Sequence, residues 1–394
     1  MRHPWAVFAL PRVVVVLGLA SLLNDAASEM IAPLLPVFLT LVLGAGPAVV
    51  GLVEGVAEAT SSLMKLIAGR LADRGWRIKP LVVGGYGLSN AVRPLIALAL
   101  NWGWVLGLRF MDRIGKGLRT APRDAWLAAS VAQAHRGQAF GFHRALDHTG
   151  AMLGPLLAFA LLGLGLEMRE VFLASAVPGL LVILLLMFGT ASPPAPPPSA
   201  YAPLRWRVLD ARVRGMVVAA GGLALATAPE AFLVLWASAR GLELVWVPLL
   251  WAAAHAVKAL VAYPLGGLSD TLGRLPVVLG GWSARLLVLV ALALAPPGAA
   301  WTWGLFLLYA ATLAATEGAE RALIGDYTPE GQRGTAFGVY HMLSGLAALP
   351  GAVLFGVLWE WVSMEVAFLT SAGLTGLSAL LLLIFARRAA RAPG

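Results

Sequence analysis

The chain has 394 residues, of which 59% are hydrophobic and 12% charged, with a formal net charge of +9 and no cysteine. Soluble globular proteins carry about 25% charged residues, so the composition argues against a water-soluble enzyme, and the apolar excess excludes a disordered or collagen-like chain. Without cysteine, a disulfide framework, a thiolate metal site and a cysteine nucleophile are all excluded.

A transmembrane helix needs roughly 20 mostly apolar residues. Twelve such stretches are predicted, over 13–42, 47–69, 80–101, 103–122, 137–164, 171–190, 215–238, 244–265, 275–295, 300–322, 335–358 and 364–386. The fold class is therefore an all-α membrane protein. No small-residue cleavage site follows the first stretch, which reads as a retained helix and not a removed signal peptide.

Taken in chain order, the charges inside these stretches stand out, because a charge at mid-bilayer costs roughly 2.5–3.5 kcal/mol on insertion scales. Span 1 carries Asp25 and Glu29, and span 2 carries Glu54 and Glu58; each i,i+4 pair shares one helix face. Span 2 also holds Lys65 and runs into Gly69, Asp73 and Arg74. Span 4 carries Arg109, Asp112 and Arg113. Span 5 carries His143, Arg144, Asp147 and His148 among Gly141, Gly150, Gly154 and Pro155. A Pro-rich stretch at mid-chain opens a linker over 191–213, dividing an N-terminal half (1–190) from a C-terminal half (214–394). The second half is sparser in charge: Glu230 in span 7, His255 and Lys258 in span 8, Gly266, Asp270 and Arg274 after it, and Glu317 with Arg321 as an i,i+4 pair in span 10.

Lys and Arg collect at alternate ends of the spans. One side holds Arg2, Arg12, Arg70, Arg74, Arg77, Lys79, Lys116, Arg119, Arg123 and Arg136, then Arg205, Arg207, Arg212, Arg214, Arg274, Arg321, Arg333, Arg387, Arg388 and Arg391. The other holds only Arg169 and Arg240. The positive-inside rule places both termini in the cytoplasm of a bacterial inner membrane. It also accounts for the net charge without a nucleic-acid partner. The two halves repeat. Asp73 and Asp270 in similar Gly-x-Leu-x-Asp settings are 197 residues apart, as are Arg136 and Arg333 in similar Arg-Gly-x-Ala-Phe-Gly settings. Parallel repeats of this kind are the plan of one large class of secondary transporters.

These residues resemble the major facilitator superfamily over essentially the whole length. Gly69, Asp73 and Arg74, then Arg77 and Lys79, are similar to its loop motif after helix 2, and Gly266, Asp270 and Arg274 form a second copy. Arg109, Phe110, Gly115, Gly117 and Pro122 resemble its helix 4 motif, with Asp112 and Arg113 where Gln and Gly are usual. Gly141, Gly150, Gly154 and Pro155 resemble the helix 5 motif associated with antiporters. The resemblance implies the major facilitator fold, with twelve transmembrane helices in two pseudo-symmetric six-helix bundles, and a secondary active transporter working by alternating access.

The reading that follows is proton-coupled export of a small organic solute. Asp25, Glu29, Glu54, Glu58, Asp112, Asp147, His143 and His148 are the proton-coupling candidates, since a carboxylate that is neutral in one conformation and ionised in another moves a proton with each cycle. Arg109, Arg113, Arg144, Glu230, His255 and Lys258 are candidates for substrate binding or charge pairing; Arg109 or Arg113 is expected to approach Asp25 or Glu29. Uptake or uniport of a small organic anion is an alternative, and a transport-inactive receptor or lipid-handling protein on the same fold is another. No HExxH, GxSxG or phosphate-binding Gly-Lys-Ser/Thr loop occurs, which disfavours a membrane enzyme or a nucleotide-driven pump. Neither cofactor nor metal is expected. Protons and the lipid bilayer are the expected partners of a monomeric protein.

Overall fold

The computed structural model describes residues 10–73, 76–132, 136–190, 209–328 and 333–391, which are helical with no strand among them. The first six helices are α1 (Arg12–Ile31), α2 (Pro47–Asp73), α3 (Ile78–Val92), α4 (Trp102–Ala129), α5 (Arg136–Gly163) and α6 (Met168–Gly189). After the linker, α7 runs as two segments, Ala211–Ala226 and Glu230–Ala239. It is followed by α8 (Val247–Leu272), α9 (Arg274–Leu294), α10 (Ala299–Tyr327), α11 (Arg333–Trp361) and α12 (Met364–Arg391). The linker from 191 to 208 and Arg74 lie outside the described residues, as do the side chains of Asp73, Gly266 and Asp270.

Ten of these helical stretches are long and apolar enough to cross a membrane. The two that fall short in apolarity, α2 and α4, have 27 and 28 residues and are long enough. Their charges explain the difference: α4 alone carries Arg109, Asp112, Arg113, Lys116, Arg119, Arg123 and Asp124. Several of these are buried against protein, which removes the cost of facing lipid. The lipid-facing surface is apolar instead, as on α6, where Leu180, Leu181, Leu184 and Phe188 are exposed.

Prolines shape the ends and breaks. The first predicted span divides: α1 stops at Ile31, ahead of Pro33 and Pro36, and the chain continues as a short turn (Leu35–Val37) and a π-helical turn (Phe38–Val42). The break in α7 falls just before Glu230, with Pro229 as the cap of the second segment. Ala32 and Pro229 are again 197 residues apart, so both halves interrupt their first helix at equivalent positions. Tyr309 of α10 donates to the Ala228 carbonyl at 2.8 Å, satisfying a group that the break would orphan.

The chain divides into two compact units, one of residues 1–32 and 63–201, the other of residues 33–62 and 202–394. The boundary thus falls within α2, not only in the linker. Val14, Leu17, Tyr86, Trp126 and Leu186 lie in the core of the first unit. In the second, Met216, Val217, Trp282, Leu323 and Ile324 do the same. Within the second unit the first half of α2 lies against α11. Glu360 accepts a 2.8 Å hydrogen bond from the Ala48 amide in the first turn of α2, where a carboxylate satisfies an orphan N–H and complements the helix dipole.

Candidate functional site

The polar interior of the first unit is built on α1, α3, α4 and α5. Two arrangements are distinct within it. The first is an ion-pair network around Asp112, which is 1% exposed. Arg93, which caps the C-terminal end of α3, donates from Nε to Asp112 Oδ1 at 2.9 Å, while Arg109 and Arg113 lie 3.8 and 3.7 Å from Oδ2. Arg93 also donates to the Asn24 side chain at 3.0 Å and to Asn90 at 3.2 Å, tying α1 to α3. Arg119 bonds Ser89 at 2.8 Å and lies over the Tyr86 ring at 4.6 Å. A single carboxylate therefore gathers three arginines, of which Arg93 and Arg109 are buried with it and Arg113 is 14% exposed.

The second arrangement is a pair of half-buried carboxylates. Asp25 of α1 accepts from Asn24 at 2.9 Å, and its charged neighbours include Asp147, Glu29, Lys116 and Arg119. Asp147 of α5 accepts from Ser21 of α1 and pairs with Arg144 at 3.4 Å; buried His143 lies 4.0 Å from it. Arg123 reaches Ser21 at 3.5 Å and feels the Asp147 charge. Two like charges thus share one site, flanked by Lys116, Arg119 and Arg123.

The cations beside Asp25 are not those expected. Arg109 and Arg113 converge on Asp112, and the α4 cations near Asp25 are Lys116 and Arg119, which the positive-inside count placed at a membrane edge. The reason is the length of α4, which continues through Pro122 to Ala129 and so carries them inside the helix. The predicted span, 103–122, stops at Pro122. Arg93 belongs to the same omission: its partner is 19 residues away on another helix, and no periodic pattern encodes that pairing.

Glycines set the distance between the helices that carry the carboxylates. A Cβ on Gly150 would strike the Leu22 carbonyl of α1, and one on Gly154 would lie 2.5 Å from the Ala26 carbonyl. These contacts bracket Asp25, so α1 and α5 touch backbone to backbone where the carboxylates sit, as small residues permit between membrane helices. Gly18, which the sequence reading passed over, extends this seam against Phe142 and Leu146. Gly141 has no such neighbour within 4 Å. Gly154→Val is expected to lower the melting temperature of the purified protein sharply, because overpacking against backbone has no side chain to yield. The matching change Gly141→Ala should leave it within about 1 °C.

The remaining candidates lie elsewhere. His148 and Arg144 are exposed on α5, and Glu58, exposed, and Glu54 belong to the second unit. There Lys258 of α8 donates to Glu230 beside the break in α7, and the charge of His255 reaches the same carboxylate. Arg274 pairs with Asp326 at 3.4 Å and bonds Ser269 at 2.7 Å. Glu317 and Arg321 pair at 2.5 Å on the surface. Buried Glu320 accepts from Trp282 at 2.7 Å and Tyr340 at 3.4 Å.

Broken first helices in both halves and charges gathered beside them match the plan of secondary transporters. The profile of the Major Facilitator Superfamily matches residues 17–319. The chain belongs to that superfamily. An uncharacterized MFS-type transporter of Methanocaldococcus jannaschii is 31% identical, with 94% of each chain covered. An uncharacterized protein of Mycobacterium tuberculosis is 29% identical over 89% of this chain and 87% of its own. Among solved structures, a bacterial homolog of the human lysosomal transporter Spinster, inward-facing and occupied, superposes with a TM-score of 0.78 at 17% identity over 98% of both chains. The architecture is thus the major facilitator fold, an all-α membrane fold, and the chain is a secondary transporter of this superfamily.

Proposed function

We propose that this transporter exports a small organic solute in exchange for protons, across a bacterial inner membrane with both chain termini in the cytoplasm. We also read its two sequence halves, 1–190 and 214–394, as the two six-helix bundles. The observation that carries the coupling is the Asp25–Asp147 pair among Lys116, Arg119 and Arg123. Like-charged carboxylates that share a site disfavour simultaneous ionisation, and nearby cations restore it. A movement of α4 relative to α1 therefore changes whether a proton is held. His143, beside Asp147, is placed to relay that proton. The antiport direction is supported by the resemblance of Gly141, Gly150, Gly154 and Pro155 to the helix 5 motif associated with antiporters. The Asp73 and Asp270 loops are proposed to clamp helices on the cytoplasmic side, and Glu230 with Lys258 to hold polar substrate groups at the α7 break.

A second reading, uptake or uniport of an organic anion, is favoured by one feature. Arg93 and Arg109, at most 6% exposed, converge with Arg113 on the Asp112 carboxylate, a concentration of positive charge suited to an anion. The test separates the two. Purified protein is screened for solutes that raise its melting temperature, since a ligand of the native state stabilises it by mass action. The stabilising solute is then offered to proteoliposomes with a pH jump. Accumulation against an outward proton gradient in the exchange direction supports export. Co-directional accumulation, or flux indifferent to pH, supports the second reading.

A further inference from the structure

The second unit contains a cavity of about 400 Å³ between the end of α7 and the start of α10. Its lining includes Arg240, Leu242, Glu243, Trp246, Thr302 and Trp303. An odd number of crossings separates these helix ends from the end of α12, so the cavity opens on the membrane face opposite the C-terminus. Three features point to a ligand. Arg240 has a buried Nε that makes no hydrogen bond among the described residues, and an unsatisfied buried donor costs about 1–3 kcal/mol. Arg240 and Arg169 are the cations on this face in the positive-inside count, so membrane orientation does not explain its presence. Trp246 and the adjoining Trp301 are exposed at these helix ends, the level at which tryptophan lies among lipid headgroups.

We propose that this cavity binds the phosphate of an anionic lipid headgroup, with Arg240 as the phosphate ligand and Trp246 and Trp303 against the glycerol and upper acyl chain. Guanidinium is the donor suited to phosphate, and an apolar wall beside it fits an amphiphile better than a free ion. Two carboxylates temper the site. Glu243 lines it but is exposed to water, and the Arg240 charge reaches Glu365 at the start of α12. Glu243 therefore weakens binding of a second negative charge without abolishing it, and its removal strengthens the site.

The probe is phosphatidylglycerol in phosphatidylcholine vesicles, with phosphatidylcholine alone and soluble glycerol phosphate as the other arms, added to full-length protein in neutral detergent. Phosphatidylglycerol should raise the wild-type melting temperature by about 3 °C. The rise should vanish in Arg240→Gln, persist in part in Arg240→Lys, and grow in Glu243→Gln. Native mass spectrometry supplies a second readout that does not depend on equal stability: wild type should retain more phosphatidylglycerol than Arg240→Gln. An equal rise and equal retention in Arg240→Gln would overturn the proposal. A rise with soluble glycerol phosphate alone would overturn the lipid assignment and mark the site as one for a free organic phosphate.

Discussion

Asp112→Ala is expected to destabilise the protein more than any other single substitution in its first unit. The side chain is 1% exposed and neutralises Arg93 directly, with Arg109 and Arg113 within 4 Å. Removing one partner from a buried charge group typically costs about 3–5 kcal/mol, because the remaining charge is left uncompensated. Here three guanidinium groups lose the carboxylate they share. The Arg93→Met change should be nearly as harmful, since it also removes the hydrogen bonds that Arg93 donates to Asn24 and Asn90. The double variant should lose less than the sum of the two single changes, by about 1–3 kcal/mol. Thermal unfolding of detergent-purified protein measures all three. Strictly additive losses would show that Arg93 and Asp112 stabilise α3 and α4 independently of each other.

Asp25→Asn is expected to have the largest effect on transport with the least effect on folding. Asn cannot ionise, so the variant holds the site in its neutral form in every conformation. The change preserves shape and the contact with Asn24, and the residue is only half-buried, so the melting temperature should stay within a few degrees of wild type. Solute binding should persist, and exchange of solute for solute across the membrane should continue. Accumulation driven by a pH gradient should fall by at least tenfold, a loss of about 1.4 kcal/mol or more in coupling. Asp147→Asn should act similarly but with a larger stability cost, because Asp147 receives the Ser21 hydroxyl, Arg144 and the neighbouring His143.

The helical architecture was legible because bilayer thickness dictates span length, and because the positions of Asp73 and Arg136 recur at one interval. Even α2 and α4, which are too charged to meet a rule of apolarity, were recognisable from their place in the chain. Their charges are buried by neighbours that hydropathy does not see. The candidate site was legible in part. Asp25 and Asp147 were recognisable because intramembrane carboxylates are costly. Their cationic neighbours were not, since Lys116 and Arg119 look like edge residues until α4 is followed through Pro122. Arg93 and Ser21 act through partners 19 and 126 residues away, and such pairings arise only when helices are packed. The break in α7 was also unforeseen. Pro229 signals it, but the apolar run continues across it, and only the Tyr309 bond to Ala228 shows how the break is stabilised.

In the proposed cycle a proton moves through the Asp25–Asp147 pair for each solute carried. The most direct measurement follows internal pH with a trapped dye in proteoliposomes as the stabilising solute is added outside. With wild-type protein, inward solute flux should drive protons outward, seen as internal alkalinisation that scales with solute flux. In Asp25→Asn liposomes the solute should exchange with no pH change. Solute flux in wild type without any proton movement, or a full proton signal in Asp25→Asn, would contradict the claim.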